Sequence, residues 1–190
     1  MKQEQPQRRF ASSPLHGNPA SGPTKPVPRH VLEGRVLALE NFYRQVQTER
    51  MQGIPLLNAA LCVEAVGFEW GADAEDPVAE GVLITPWFMS LVRLPAQALP
   101  HGNQVGRSFV RDFGSERFDF IGAHDPAIGY HETCGLFSPM GEFTTQALAL
   151  ETAQAALALT RPAPAAAPAA SEPVPARRAF LLGRGAGARA

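Results

Sequence analysis

Gly81-Val82-Leu83-Ile84-Thr85-Pro86-Trp87-Phe88-Met89-Ser90-Leu91-Val92-Arg93-Leu94 is the most apolar stretch of this 190-residue chain, and its reading decides the fold. A membrane span needs roughly 18–20 apolar residues in a row. This stretch is shorter, and Pro86 and Arg93 interrupt it. Its length and branched content read as strand. Pro86 cannot donate to a ladder, so Val82-Leu83-Ile84 begins one strand. Trp87 to Leu94 either continues it past a kink or bulge, or forms the next strand.

Working outward, more strands follow on both sides. Leu61 to Phe68 has strand length and composition, and Gly71 to Pro77 is a polar loop. Pro95 and Pro100 close the apolar region. Val105 to Phe113 and Glu116 to Ile121 flank Gly114-Ser115, a two-residue hairpin turn. Phe109, Phe113, Phe118 and Phe120 supply cross-strand aromatic packing. Asp125-Pro126 marks a turn, and Tyr130 to Phe137 reads as the last strand.

Helices flank the strands. Leu32, Val36, Leu39, Tyr43 and Val46 recur at helical spacing, which predicts an amphipathic helix from Arg29 that ends before Gly53 and Pro55. Ser138-Pro139 reads as N-cap and first residue of a second helix. Met140, Phe143, Ala147, Leu148, Leu150 and Leu157 form its apolar face, and Pro162 stops it. The expected fold is α+β: an antiparallel sheet of four to six strands flanked by an N-terminal and a C-terminal helix, both on one face.

Composition sets the limits. Hydrophobic residues make up 45% of the chain, enough for a core, while Gly and Pro supply 17 and 18 residues and point to unstructured segments. The net charge of −1 hides an asymmetry. Residues 1–28 carry Lys2, Arg8, Arg9 and Lys25 against Glu4, and read as a disordered tail. The body, 29–160, carries eight arginines against 16 carboxylates, net −8. Residues 161–176 form an Ala/Pro spacer, and 177–190 a basic motif. Together these last 30 residues carry five arginines against Glu172, net +4. An acidic body repels phosphates, which argues against nucleic acid as partner. It suits basic peptides, its own ends included. Met1 to His30 has no apolar core of a secretory signal, so a cytoplasmic location is expected.

No enzyme motif stands out. The histidines at 16, 30, 101, 124 and 131 are scattered, and no H-E-x-x-H, G-x-G-x-x-G or P-loop spacing occurs. Cys134 lies three residues after His131, so on a strand the two point to opposite faces. A thiol or metal-handling role through Cys62, Cys134 and a histidine is the rival reading. Two free thiols are expected. The run Trp87-Phe88-Met89 bears two readings: core if both faces are covered, or a hydrophobic platform if one is open. Leu136 to Met140 poses the same question.

Three blocks then carry a resemblance. Cys62-Val63-Glu64-Ala65-Val66-Gly67-Phe68, Gly81 to Met89, and Cys134-Gly135-Leu136-Phe137-Ser138-Pro139-Met140 resemble the signature blocks of the HybE/HupJ/HoxT family of [NiFe]-hydrogenase assembly chaperones. The likeness runs from about Arg29 to Arg184. Ala59 stands where the family pattern has Pro, and Ser90 where it has Asn. The chain has no C-x-x-C pair and so no fused rubredoxin module of the kind some relatives carry.

The resemblance implies a cytoplasmic, non-enzymatic chaperone with a secretion-chaperone-like fold and no cofactor. It would hold a hydrogenase precursor subunit, small or large, through maturation until export, with the subunit's twin-arginine signal as one candidate contact. A homodimer lies within this expectation. The expected contact surface is Trp87, Phe88, Met89, Phe137 and Met140, with Glu64, Glu69, Asp119 and Glu132 as arginine partners. A structural subunit retained in the mature enzyme is a blander reading. One motif stays apart: Arg177-Arg178-Ala179-Phe180-Leu181 has the R-R-x-F-L pattern of a twin-arginine signal, but no long apolar segment follows it. It is expected to act as a built-in pseudo-signal.

Overall fold

Among the described residues six strands form one sheet in the order β1-β2-β3-β6-β5-β4, each neighbouring pair antiparallel. The computed structural model describes residues 27–71, 76–100 and 102–161. Along the chain come α1 (Arg29–Glu49), β1 (Glu64–Trp70), β2 (Val78–Ile84), β3 (Met89–Pro95), β4 (Ser108–Phe113), β5 (Glu116–Asp125), β6 (Gly129–Phe137) and α2 (Gln146–Thr160). Two three-stranded meanders meet at β3 and β6, leaving β1 and β4 as the edges. The N-terminal tail, the Ala/Pro spacer and the motif with Arg177, Arg178, Phe180 and Leu181 lie outside the described residues.

The helices cover opposite faces, which corrects the expectation that both share one. Leu39 of α1 packs in a core with Ala79, Leu83, Val92, Leu94 and Ile128. Ala149, Ala153 and Leu157 of α2 pack in another, with Val82, Ile84, Met89, Leu91, Phe113 and Phe120. Neighbours such as Val82 and Leu83 thus enter different cores. That explains why Val82-Leu83-Ile84 of β2 and Leu91-Val92 of β3 are apolar without alternation: both faces of the sheet are buried there.

The opening stretch is a hairpin. β2 and β3 pair from Val78↔Pro95 to Ile84↔Met89. Thr85 closes the turn, its Oγ1 accepting from the Phe88 amide at 2.9 Å and its own amide donating to Phe88 O at 2.8 Å. Gly114 makes the β4–β5 turn at φ +63, and a Cβ there would strike the Thr160 carbonyl at the end of α2.

The second helix starts later than its apolar pattern predicts. Ser138-Pro139 is a cis peptide in a bend, and the cap is Thr145, whose side chain accepts from the Leu148 amide. Asn58 Nδ2 donates to Met140 O at 2.9 Å and to Phe143 O at 2.7 Å. Those carbonyls are thereby engaged by a side chain, and Met140 O also accepts the Phe143 amide at 3.1 Å in a turn. Met140 and Phe143 are buried all the same, as part of the α2-side core.

Candidate functional site

The three blocks that carry the resemblance converge, and they converge inward. Asn58 N donates to Pro86 O at 2.9 Å while its side chain holds the 140–143 segment. Met89 pairs with Phe137 across β3 and β6. Trp87, only 9% exposed, stacks edge-on against Phe88 at 5.6 Å between ring centroids. Tyr43 of α1 meets Phe88 at 5.5 Å, and its phenol is pushed up to about 12 by burial and by the charge of Asp125. Met89 and Met140 are fully buried.

The expected platform is therefore corrected. Trp87, Met89 and Met140 are core, because the sheet is covered on both faces. Phe88 is half-buried against α1, and Phe137, 38% exposed, lies against Phe143. Glu132 is corrected as well: it is buried and already held by this chain's own arginines. Glu64 is half-buried and accepts from Gln146 Nε2 at 2.7 Å. Asp119 is exposed, on the face of β5 away from Phe118 and Phe120.

Glu69 leads to what the sequence reading missed. Cross-strand register aligns Glu69 of β1, Glu80 of β2, Arg93 of β3 and Glu132 of β6 in one row. The row lies on the α2 side, beyond the end of that helix. Arg93 reaches both neighbours, with Nε to Glu80 at 3.0 Å and Nη1 to Glu132 at 3.2 Å. Arg111 leans in from β4 and grips Glu132 with two donors, Nη2 at 2.7 Å and Nε at 3.0 Å. The Tyr130 hydroxyl adds a bond to Glu132 at 3.0 Å. The next position in the row is Gly122, where a Cβ would collide with Gln104 O and the Tyr130 hydroxyl. At the other end Arg161, just past α2, pairs with Glu69 at 2.8 Å and donates to Glu80 O at 2.8 Å.

Electrostatics follow this geometry. Burial alone would raise the Glu132 carboxyl, but hydrogen bonds from Arg111 and Tyr130 and the charges of Arg111 and Arg93 outweigh it and lower its pKa. Tyr130 is pushed up to about 12, by burial and then by Glu132. The carboxylate is the settled charge at the centre of the row.

Above this row lies a groove of about 680 Å³. One wall is the end of β1, at Glu69, Trp70 and Gly71; the other is β4, at Val110, Arg111 and Asp112. Successive residues of both edge strands line it, so the groove is the gap between the two edges of the sheet. Arg161 closes one side. On the rim, Glu69 and Asp112 are 61% and 83% exposed, and Val110 is 53% exposed. The Trp70 indole N–H has no acceptor among the described residues.

The thiol and metal residues do not assemble. Cys62 is exposed and Cys134 is half-buried against the α2-side core. His131 points to the other face of β6, buried, with burial lowering its pKa. Burial, and then Asp119, raises the Cys134 thiol. Among the described residues no three His, Cys, Asp or Glu side chains are placed to share a metal ion. No described helix is long and apolar enough to cross a membrane.

A six-stranded antiparallel sheet with one helix on each face and a charged groove between its edges defines an α+β protein. Sequence comparison supplies the particular family: residues 34–183 match the model of the [NiFe]-hydrogenase assembly chaperone HybE, and the chain belongs to that family. It is 43% identical over 167 residues to Protein HoxT of Cupriavidus necator, covering 79% of this chain and 89% of that one. It is 38% identical over 120 residues to the hydrogenase expression/formation protein HupJ of Bradyrhizobium diazoefficiens, covering 63% and 68%. The solution structure of HybE from Escherichia coli has the same fold, with a TM-score of 0.50 at 17% identity over 80% of this chain and 91% of that one.

Proposed function

We propose that this protein is a non-catalytic chaperone that holds a [NiFe]-hydrogenase precursor subunit in the cytoplasm while it matures, before export. The groove between β1 and β4 is its docking site, and the ligand is an extended segment of the precursor, its twin-arginine signal included. Family membership supports the assembly role. The observation that carries the docking site is the groove itself. It joins a strand edge that is unpaired among the described residues to the exposed side chain of Val110 and to two exposed carboxylates, Glu69 and Asp112, whose solvent-facing pairs with Arg161 and Arg117 an incoming guanidinium would have to replace. Strand addition at such an edge uses main-chain hydrogen bonds for affinity and side-chain pockets for choice. The two carboxylates match paired guanidinium groups.

The test is co-purification of the tagged full chain from cells producing hydrogenase, with the precursor's signal present or deleted. Precursor should be captured, and Glu69→Lys with Asp112→Lys should lower capture at least fivefold. Equal capture by that variant would exclude the groove. Recovery of the chain in the mature active enzyme, and not with precursor, would replace the chaperone reading by that of a retained subunit.

A further inference from the structure

We propose that the chain's own C-terminal segment, Arg177 to Leu182, lies in this groove as an added strand on the β4 edge when no precursor is bound. The proposal rests on the groove being the docking site, and adds its regulation. Four observations meet here.

The two sheet edges differ. The edge of β1 is occupied at its start by helix side chains: Glu40 accepts from the Ala65 amide at 2.8 Å, and Gln146 accepts from the Cys62 amide at 3.0 Å. Among the described residues β4 is paired with β5 alone, so its outer edge faces the groove. Unpaired edges recruit other strands, and native proteins cover them.

The described chain ends on the groove wall. Arg161 lines it, and the C-terminal segment follows after 15 more residues, 162–176. An extended Pro/Ala spacer of that length reaches roughly 45 Å, more than twice the ~20 Å of a six-residue strand. Tethering of this kind gives effective concentrations in the ~mM range.

The segment also has complementary chemistry. In extended form Arg178, Phe180 and Leu182 point one way, and Arg177, Ala179 and Leu181 the other. Each side thus carries one guanidinium and at least one large apolar group. Glu69 and Asp112 on the rim suit the former, and Val110 and Val78 the latter. The body 29–161, net −7, attracts the tail 162–190, net +3, over a longer range.

Finally, the family match continues to residue 183, well beyond Arg161, the last described residue. The match therefore includes the segment.

Hydrogen exchange on the full chain tests this without any partner. Arg177→Glu, Arg178→Glu and Phe180→Asp together leave the body 29–161 untouched. In that variant the amides of 108–113 should exchange about tenfold faster than in the wild type, with β3 and β6 unchanged. Identical exchange at 108–113 in the two proteins overturns the proposal. Protection that grows with protein concentration overturns it too, because the segment would then fill a second copy's groove. Since no precursor is present, failed co-purification with a positive exchange result sinks the proposed function alone; the reverse sinks only the docked tail.

Discussion

Replacing Glu132 by Gln tests whether the charged row holds β4 against the rest of the sheet. The substitution keeps the shape and one acceptor but removes the charge that Arg111, Arg93 and Tyr130 share. Removing one partner from a fully buried pair costs about 3–5 kcal/mol. Two facts reduce that here: Arg111 is 38% exposed and can rehydrate, and Arg93 keeps Glu80 at 3.0 Å. The expected cost is about 2 kcal/mol. For a body of this size each kcal/mol moves Tm by roughly 3–4 °C, so Tm should fall by about 7 °C. Glu69→Gln is the control. Its pair with Arg161 is exposed on the carboxylate side, and it should cost no more than ~1 kcal/mol. Acid supplies a second reading. Glu132 titrates below its ordinary value of 4.5 in the folded chain, so its stabilisation is complete above that pH and is lost as pH falls through the folded pKa. Scanning calorimetry from pH 7 to 3 should show a constant gap between wild type and Glu132→Gln above 4.5, closing below it. A gap under ~1 °C at pH 7 would refute the argument. So would a coupling energy near zero in a double-mutant cycle with Arg111→Met.

Two further predictions concern buried residues. Trp87→Ala should cost about 3–5 kcal/mol, because the side chain is core, and any loss of precursor capture should follow the unfolded fraction measured by thermal melting. Burial lowers the His131 pKa from its ordinary 6.5, so the unfolded chain binds the proton first as pH falls; stability should decline below about pH 6.5, and His131→Phe should remove that step from a plot of Tm against pH.

The apolar architecture was legible because period and punctuation carry it. Gly114-Ser115 announced its hairpin, and the 4,3,4,3 spacing in α1 announced a single buried stripe. Which face each helix covers was not legible: Val82-Leu83-Ile84 in β2 and Leu91-Val92 in β3 are consecutive apolar residues, so alternation cannot assign a side. α2 was placed too early because Ser138-Pro139 satisfies a capping pattern, while the competing acceptor demand comes from Asn58, some 80 positions away in sequence. The aromatic block misled for a related reason, since core and platform share one composition and only the position of α1 decides between them.

The groove was hidden more deeply, yet it left one trace. Arg93 stands alone in the apolar run from Gly81 to Leu94. In a strand covered on both faces, a guanidinium needs carboxylates on both flanking strands or a path to water. Glu80 lies 13 residues before it, and the hairpin register puts the two side by side. Glu132 lies 39 residues after it, in a strand whose partner could not be read from the chain order. The first pairing was within reach of the β2–β3 turn; the second required the crossover that sets β6 beside β3. That crossover also leaves β1 and β4 as separate edges with the charged row between them. One arginine that should not be in a core strand thus marks the floor of the site, and the topology alone turns that floor into a groove.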